Sequence, residues 1–478
     1  MLIPSDMNAS HSDAMAIVDM QAAFQAQLLK FRASPAFSVK QRLTSLNKLR
    51  TILLENAASI QKSISQDFGH RSSAETEMLE IIPVLNAIRH TRRNLTAWMR
   101  PEGRPVDIAF QPGRAWIRYE PLGVIGIMAP WNYPLLLTMS PFVDAIAAGN
   151  RVMIKPSELT PSFSELLHEL VSLNFDPTEV TVITGGPDMA RKFSSLPFDH
   201  LLFTGSTSVG REVLKAAAEH LTPVTLELGG KSPAIVCPDY PLHKAARSIA
   251  FGKFLNGGQT CIAPDYALVP SDRCREFAEM VIAQAKQSYP SIQNNPDYTT
   301  TINQRQKTRL LETLAEAKAG GATLISSEIT KDVSEIPPTV VLNTPADCSL
   351  LKDEIFGPIL PIVPYKTMEE AFAFINARPK PLALYCFTND KDTQKKVLDG
   401  ASSGGVTING TLLHIAQDGL PFGGVGSSGM GAYHGRDGFQ RFSHARSVYK
   451  VGMINVFEQL GPPWGILARR VAGILRRR

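Results

Sequence analysis

No stretch of the 478-residue sequence approaches the roughly 18 consecutive apolar residues that a membrane-spanning helix requires. Residues 1–14 also lack the basic and then apolar pattern of a secretory signal. We therefore expect a cytoplasmic protein.

Cysteine is scarce. The five cysteines are odd in number, widely separated and never arranged as a CxxC pair: Cys237, Cys261, Cys274, Cys348 and Cys386. This pattern disfavours a disulfide framework and a structural zinc site, and the histidines show no ligand spacing, so we expect no metal. It leaves open that one thiol is reactive.

The main part of the chain has no excess of either positive or negative charge. There are 49 basic and 44 acidic residues, and five arginines with no acidic partner follow Glu458: Arg469, Arg470, Arg476, Arg477 and Arg478. Without these five the chain is neutral, which removes the usual argument for a nucleic-acid-binding surface. With 44% hydrophobic and 19% charged residues, the body has the composition of a globular protein.

Apolar periodicity predicts the organisation of the chain. The first hundred residues read as helices, and two strands joined by a turn are predicted at 106–110 and 115–119. From residue 123 onward short apolar runs alternate with helical stretches. The predicted strands are 124–128, 151–154, 180–183 and 201–203, and the helices between and after them are 135–148, 162–173 and 209–220.

A second alternating stretch runs from residue 225 to about residue 410. Its predicted strands are 234–236, 266–269, 339–342, 384–387 and 405–408. Strands separated by helices imply parallel sheets with helices on their faces, so the sequence predicts an α/β protein with two such domains. Ligands on such sheets bind at the carboxyl ends of the strands.

Three motifs follow predicted strands. Asn132 lies in a segment that opens a helix, Lys155 and Glu158 follow the next strand, and residues 203–210 place glycines before a helix N-terminus. Free N–H groups at such an N-terminus bind phosphate. Each motif alone is equally compatible with ordinary turn chemistry.

Two glycine motifs are decoys. Residues 424–429 match GxGxxG, but no βαβ unit fits in the remaining chain, so a tight glycine-rich turn is favoured over a dinucleotide site. Residues 230–232 resemble the end of a P-loop but lack its earlier glycine, because Thr225 occupies that position.

Cys261 and Glu227 carry a different signal. Two glycines, Gly257 and Gly258, keep bulk away from the Cys261 thiol, whereas Cys237 and Cys386 lie inside apolar runs and read as small buried residues. Glu227 is flanked by apolar residues, where burial raises the pKa of a carboxyl group and makes it a base near neutral pH.

Seven motifs occur in a fixed order: PWNYP, KPSE, FTGSTSVG, LELGGKSP, GQTC, EIFGP and PFGG. In this order and spacing they resemble the NAD(P)-dependent aldehyde dehydrogenase superfamily, over roughly residues 20–450. Residues 261–266, 426–434 and 442–444 further resemble its class 3 branch. Residues 295–299 and 380–383 are similar to the bacterial coniferyl aldehyde dehydrogenases within it.

The resemblance implies catalytic roles for three residues. Cys261 would be the nucleophile, and the Asn132 amide with the Cys261 backbone N–H would stabilise the oxyanion. Glu227 would activate the water that hydrolyses the thioester, so the product would be a carboxylic acid. The implied substrate is an aromatic aldehyde such as coniferaldehyde; a medium- or long-chain aliphatic aldehyde is the alternative.

The resemblance also implies a nicotinamide cofactor. The residues that would contact it are Trp131, Lys155, Glu158, Gly205, Ser206, Val209, Gly210, Glu354 and Phe356. Glu158 would lie at the adenine ribose, where its charge disfavours a 2′-phosphate, so we expect NAD with NADP tolerated.

The implied fold has a Rossmann-like cofactor domain, a catalytic thiol domain and a small β element through which relatives dimerise. We assign 1–105 and 123–226 to the first domain and 227–412 to the second. We assign 106–122 and 413–452 to the oligomerisation strands and a bridging segment, and expect a homodimer.

Residues 453–478 form a basic tail. Apolar residues at helical spacing predict a short amphipathic helix: Leu467, Val471, Ile474 and Leu475, with Trp464 ahead of them. It either packs on the body of the protein or frays, or it docks reversibly on an anionic membrane surface.

Overall fold

Three sheets organise the computed structural model, which describes residues 4–34, 37–328, 335–453 and 455–476. Two of the sheets are large and mostly parallel, and helices pack against them. The predicted α/β class is therefore confirmed. The residue boundaries assigned to the domains remain a prediction.

The first large sheet has six strands. In spatial order they are Gly429–Met430, Val224–Glu227, His200–Thr204, Val124–Met128, Arg151–Lys155 and Val180–Val182. All pairs are parallel except the first, in which Gly429 lies opposite Glu227. The three central strands are buried along their whole length, which explains their uninterrupted apolar sequences.

The GxGxxG segment provides that antiparallel strand. Gly426 and Gly429 pair with each other across a tight turn, and Gly429–Met430 then pairs with Val224–Glu227. The interpretation of this motif as a glycine-rich turn is confirmed.

The second large sheet has seven strands. In spatial order they are Thr323–Ser326, Thr339–Leu342, Ile359–Tyr365, Tyr266–Pro270, Pro233–Val236, Ala383–Phe387 and Gly405–Ile408. Only the first pair is antiparallel. Ile359–Tyr365 was not predicted, because Pro361 and Pro364 interrupt its pattern and proline normally argues against a central strand.

A three-stranded antiparallel sheet stands apart from these two. Its strands, in order, are Glu102–Arg104, Arg114–Pro121 and Ser443–Lys450. The strand predicted at 106–110 is wrong: Ile108–Phe110 forms a 3₁₀ turn, which begins where the Asp107 carboxylate accepts the Ala109 N–H. The strand predicted at 115–119 is confirmed.

Helices cover the sheets and form the N-terminal region. Before the first large sheet they are Pro4–Ala33, Val39–Glu55, Ala57–Phe68, Ser73–Thr76 and Ile82–Trp98, with a π-turn at Glu77–Ile81. Within the first α/β stretch they are Leu136–Ala148, Pro161–Asn174, Pro187–Ser194 and Thr207–Ala218. Within the second they are Leu242–Phe254, Cys274–Ser288, Gln304–Ala319, Ser349–Lys352, Met368–Asn376 and Lys391–Gly400, with a 3₁₀ turn at Leu255–Gly258. Gly435–Arg441, Val456–Gln459 and Ile466–Leu475 follow.

One apolar core joins these parts. It runs from the helices of the first hundred residues through the central strands of both large sheets, so that Leu46, Ile125 and Ala267 belong to the same cluster. The two sheets are thereby held in a fixed relation.

The predicted C-terminal helix is present at Ile466–Leu475, and none of these ten described residues is buried. The alternative that this helix is buried against the body of the protein is therefore not supported. Arg477 and Arg478 lie outside the described residues. Within the described ranges, the helices fall short of the length and apolarity needed to cross a membrane.

Candidate active site

A cavity of about 220 Å³ lies where the strands of the first large sheet end. Eight of the twelve predicted site residues line it: Trp131, Asn132, Gly205, Ser206, Glu227, Cys261, Glu354 and Phe356. The residues come from both large α/β units, although no two of the five segments that carry them are adjacent in sequence. The sheet edge therefore assembles most of the predicted site.

Cys261 follows a turn of unusual backbone geometry. Asn256, Gly257 and Gly258 have φ angles of 53°, 59° and 75°. A Cβ at Gly258 would lie 2.2 Å from the Gly357 carbonyl oxygen, and one at Gly257 would lie 2.8 Å from the Thr299 carbonyl oxygen. Only glycine fits these two positions, and the turn delivers Cys261 to the cavity as a partly buried thiol.

The Cys261 thiol is held in its protonated form. Burial first, and then the charges of Glu354 and Glu227, raise its pKa to about 12. The backbone N–H groups of Cys261 and Ile262 act in the opposite direction. The thiol must therefore lose its proton before it can act as a nucleophile.

Asn132 is 3% exposed and is fixed at its amide. Its Nδ2 donates to the Gln259 carbonyl oxygen at 3.1 Å, two residues before Cys261. An amide nitrogen carries two hydrogens, so this bond leaves one for a ligand. The Asn132 backbone carbonyl accepts from Asn256 Nδ2 at 3.0 Å and from Arg71 Nη1 at 3.3 Å.

Glu227 lies at the end of its strand and is 2% exposed. Among the described residues, neither carboxylate oxygen has a hydrogen-bond partner. Burial raises the pKa of Glu227 well above its usual value, and the charge of Arg441 opposes the shift. Burial of a carboxyl group without a hydrogen-bond partner costs free energy, so a purely structural role is disfavoured. The arrangement is typical of a group that exchanges a proton during catalysis.

The predicted ribose and phosphate residues lie along the same sheet edge. Lys155 ends the strand next to Val124–Met128, and its Nζ donates to the Pro156 carbonyl oxygen at 2.8 Å. Glu158 Oε2 lies 3.9 Å from that nitrogen. Burial lowers the pKa of Lys155. These two residues do not border the 220 Å³ cavity.

The helix Thr207–Ala218 points its N-terminus at this edge. Ser206 caps it by accepting the Val209 N–H at 3.4 Å, and Gly205 precedes the cap. Gly210 packs against the neighbouring strand's end, since a Cβ there would lie 2.7 Å from Leu228 Cδ2. Val209 and Gly210 also lie outside the cavity lining.

Glu354, Phe356 and Trp131 close the other side. Phe356 adopts a φ of 50° and its ring meets that of Trp131 edge-on at 5.4 Å. The Glu354 carboxylate accepts the Gly230 N–H, and burial raises its pKa to about 8. A Cβ at Gly229 would lie 2.1 Å from Glu354 Oε2, so glycine is needed there for this carboxylate to enter.

These residues fit a nicotinamide dinucleotide. The cavity offers an aromatic pair and a carboxylate beside Cys261, and it extends to the capped helix N-terminus, which suits a pyrophosphate. Within the described residues, no group of three or more His, Cys, Asp or Glu side chains is arranged to hold a metal ion.

A second cavity of about 270 Å³ reaches Cys261 from another direction. Its walls are mostly apolar and include Leu79, Leu136, Phe251 and Leu412. Cys261 and Leu137 border both cavities. The thiol therefore borders two cavities: an apolar funnel, which is the 270 Å³ cavity, and the 220 Å³ cavity at the sheet edge.

Residues that support the site escaped sequence analysis. Arg71 and Glu80 form a fully buried ion pair at 2.7 Å. Glu80 Oε2 also accepts the N–H groups of Leu135 and Leu136 at 2.8 and 3.0 Å, which fixes the segment carrying Asn132. The sequence signal was weak, because Arg71 stands in a polar segment between helices and Glu80 is a single charge on a helical stretch.

The sequence matches the aldehyde dehydrogenase family over residues 7–448. It is 48% identical over 449 residues to a probable coniferyl aldehyde dehydrogenase of Pseudomonas aeruginosa, which covers 94% of each chain.

Solved structures give the same result. The substrate-bound state of Staphylococcus aureus AldH matches with a TM-score of 0.90 and 36% identity, covering 95% of this chain and 99% of that one. The Mycobacterium tuberculosis aldehyde dehydrogenase complexed with NAD+ matches with a TM-score of 0.81 and 28% identity, covering 91% and 90%.

Proposed function

Because the chain belongs to the aldehyde dehydrogenase family, whose members oxidise aldehydes to carboxylic acids with NAD(P), we propose that it acts on aromatic aldehydes of the coniferyl type. It is an aldehyde dehydrogenase. The substrate proposal rests on the 48% identity to the Pseudomonas aeruginosa relative.

The observation that carries the proposed mechanism is the meeting of two cavities at Cys261. An apolar aldehyde enters from the funnel, and the Cys261 sulfur forms a bond to its carbonyl carbon. The thiol proton passes to solvent water, and the carbonyl oxygen becomes the oxyanion of a thiohemiacetal. The free N–H of the Asn132 amide and the Cys261 backbone N–H are the proposed donors to that oxygen.

The thiohemiacetal then becomes a thioester. Trp131, Glu354 and Phe356 would hold a nicotinamide dinucleotide in the 220 Å³ cavity, and this cofactor would supply the acceptor for the hydride that leaves the carbon. Glu227 takes a proton from a water molecule, whose oxygen attacks the thioester carbon. The carbon–sulfur bond breaks, and the carboxylic acid and the Cys261 thiol are released.

Apolar funnel walls also favour a second candidate substrate, a medium- or long-chain aliphatic aldehyde. Steady-state kinetics with coniferaldehyde and decanal, followed by NADH absorbance, separate the two. We expect the larger kcat/KM for coniferaldehyde. A preference of about a hundredfold for decanal, equivalent to about 2.7 kcal/mol, would overturn the proposal.

We propose NAD as the preferred cofactor, with NADP accepted. Glu158 is exposed at the strand end where the adenine ribose is expected, and its carboxylate would repel a 2′-phosphate. The Lys155 ammonium group, 3.9 Å away, reduces that repulsion, which is why NADP is tolerated.

We further propose a homodimer formed through the three-stranded sheet. Strand Ser443–Lys450 is an edge strand of eight residues, and most of its side chains are exposed. Long open strand edges in native proteins are normally paired or protected.

The C-terminal segment is proposed to dock on anionic membrane surfaces. The exposed fractions of Trp464, Leu467 and Ile474 are 62%, 65% and 64%, so an uncovered apolar face lies beside arginines. The free state of all five cysteines supports an enzyme of the reducing cytoplasm, of which a part is held at the membrane.

A further inference from the structure

The apolar funnel in front of Cys261 has a polar region on its wall where two titratable residues meet. Asp144 and His434 contribute to it, and Ser140 and Asp418 lie nearby in the same lining. The mechanism above uses none of these side chains. Because the aldehyde group must reach Cys261, the polar region can meet only another part of the substrate.

Asp144 is held in place by the backbone of a distant segment. It lies on the helix Leu136–Ala148 and is 3% exposed. Its Oδ2 accepts the His434 N–H at 3.1 Å, and the Gly435 N–H also bonds to the carboxyl group. A Cβ at Gly438 would lie 1.9 Å from Oδ2, so the helix Gly435–Arg441 approaches this carboxyl group as closely as glycine permits.

The Asp144 carboxyl group retains its proton more readily than an ordinary aspartate. Burial raises its pKa well above the usual value. The bond from the His434 N–H, and that from the Gly435 N–H, oppose the shift, whereas the charges of Asp418 and Asp437 reinforce it. A neutral carboxylic acid offers an O–H donor as well as an acceptor oxygen. Such a group hydrogen-bonds a neutral ligand without the cost of burying an ion.

His434 is fixed in a strained conformation. Its φ and ψ of 91° and 130° are rarely adopted by residues other than glycine. The ring stacks on Phe422 at 5.5 Å and meets Tyr433 edge-on at 4.6 Å. Burial, and then the charge of His414, lower the pKa of His434 to about 4, so the imidazole is neutral.

The His434 ring also has an unused polar atom. Nδ1 is buried and has no hydrogen-bond partner among the described residues. A buried, unpaired nitrogen costs free energy unless a ligand satisfies it. Backbone strain and an unsatisfied atom at one position are typical of functional sites.

We propose that Asp144 and His434 form a hydroxyl-binding subsite that selects aromatic aldehydes with a phenolic hydroxyl group at the end remote from the aldehyde. This inference rests on the proposed function and specifies its substrate class. A hydroxyl group is both a hydrogen-bond donor and an acceptor. The Asp144 O–H can donate to its oxygen, and His434 Nδ1 can accept its hydrogen. An aliphatic chain end or an unsubstituted ring would leave the His434 nitrogen and the Asp144 O–H unpaired, which disfavours its binding.

The test compares two aldehydes that differ only in the hydroxyl group, 4-hydroxycinnamaldehyde and cinnamaldehyde. For the wild-type enzyme we expect kcat/KM to favour the hydroxylated aldehyde by at least about tenfold. In His434→Phe and in Asp144→Leu that ratio should fall to near one. Asp144→Asn keeps a donor and an acceptor, and it should retain most of the ratio.

The ratio is measured with one preparation of each variant, so a loss of folded enzyme lowers both rates and cancels. His243→Phe is the matched control, because His243 is exposed on the helix Leu242–Phe254, and its ratio should equal that of the wild type. Equal kcat/KM values in the wild type, or an unchanged ratio in both His434→Phe and Asp144→Leu, would overturn the subsite while the enzyme remained an aromatic aldehyde dehydrogenase. Oxidation of decanal with no oxidation of either aromatic aldehyde would instead overturn the proposed function, and the subsite with it.

Discussion

Cys261 occupies surroundings that suppress its own ionisation. Burial and the charges of Glu354 and Glu227 raise the pKa of the thiol to about 12, so the thiol must lose its proton before it acts as a nucleophile. A protected thiol of this kind reacts only when a substrate and a proton acceptor are both in place. A substitution of Cys261 can therefore be compared with the same substitution of another cysteine in the chain.

We predict that Cys261→Ser lowers kcat for any aldehyde by at least about a thousandfold, because a serine hydroxyl is a far weaker nucleophile in the same position. NADH absorbance measures the loss. Cys274→Ser is the control: Cys274 is also partly buried, and a serine can donate to the Val269 and Pro270 carbonyl oxygens as its thiol does. That variant should stay within about twofold of the wild type. Substantial oxidation by Cys261→Ser would contradict the assigned nucleophile.

Glu227→Gln should stall the enzyme after the first half of the reaction. Without the base, kcat should fall by about a hundredfold, and rapid mixing should show a burst of one NADH per active site. In the wild type, burial raises the pKa of Glu227, so the base form becomes more populated as pH increases. We therefore expect kcat to rise with pH above the usual titration range of a carboxyl group, and this rise should disappear in the variant. An unchanged pH profile without a burst would exclude Glu227 as the base.

Glu158→Gln tests the cofactor proposal. Removing the carboxylate removes the repulsion toward a 2′-phosphate, so the kcat/KM ratio of NADP to NAD should rise about tenfold. Glu165→Gln, on the helix that follows, is a control for a general change in surface charge and should leave the ratio as it is. A lower kcat/KM ratio of NADP to NAD in Glu158→Gln would contradict the expected position of the adenine ribose beside Glu158.

Residues whose chemistry is local were predictable from the sequence. Cys261 stands out by its flanking glycines and Glu227 by its apolar neighbours, and ordered motifs link both to Asn132. Arg71 and Glu80 were not predictable, because an ion pair nine residues apart across a helix break has no sequence pattern. The same holds for Asp144, whose partner His434 is 290 residues away.

At the level of elements, buried parallel strands were predicted best. Val124–Met128 and Thr339–Leu342 agree residue for residue with their predicted bounds. Edges and irregular strands were not: Thr323–Ser326 is short and half-buried, and Ile359–Tyr365 contains two prolines. Their strand character comes from pairing with neighbours, which periodicity does not report.

The edge strand Ser443–Lys450 carries the dimer prediction. Light scattering of the full chain should give twice its 52.2 kDa mass. Ser447→Glu puts a charge on the exposed edge of each copy, so like charges meet and the mass should shift toward the monomer. Ser291→Glu, in an exposed loop, is the matched control and should remain a dimer. A monomeric wild type, or a dimer in both variants, would exclude this edge as the interface.

At the scale of the whole molecule, the excess positive charge and the proposed active site lie in different parts of the chain. The neutral body contains both cavities, and the excess positive charge follows Glu458. Phe457 stacks on Phe110 at 4.6 Å between ring centres, so the chain is anchored before the exposed helix begins. The tail is therefore removable without disturbing the site.

Truncation after Gly461 should abolish binding to vesicles that contain phosphatidylserine and leave turnover of soluble aldehydes unchanged. Co-sedimentation measures the binding, and increasing salt should weaken it for the full chain, since the attraction is electrostatic. Vesicles of phosphatidylcholine alone are the control and should bind less. Equal vesicle binding by the full and truncated chains would dispose of the membrane proposal.

The antiparallel strand Gly429–Met430 has a consequence for synthesis of the protein. It pairs with the strand of Glu227, and the Leu228 N–H donates to the Ser428 carbonyl oxygen at 3.0 Å. This pairing can form only after a segment about 200 residues downstream of Glu227 has left the ribosome. The nascent chain carries Cys261, the proposed nucleophile, before this strand pair can form, and we expect catalytic competence to appear late during translation.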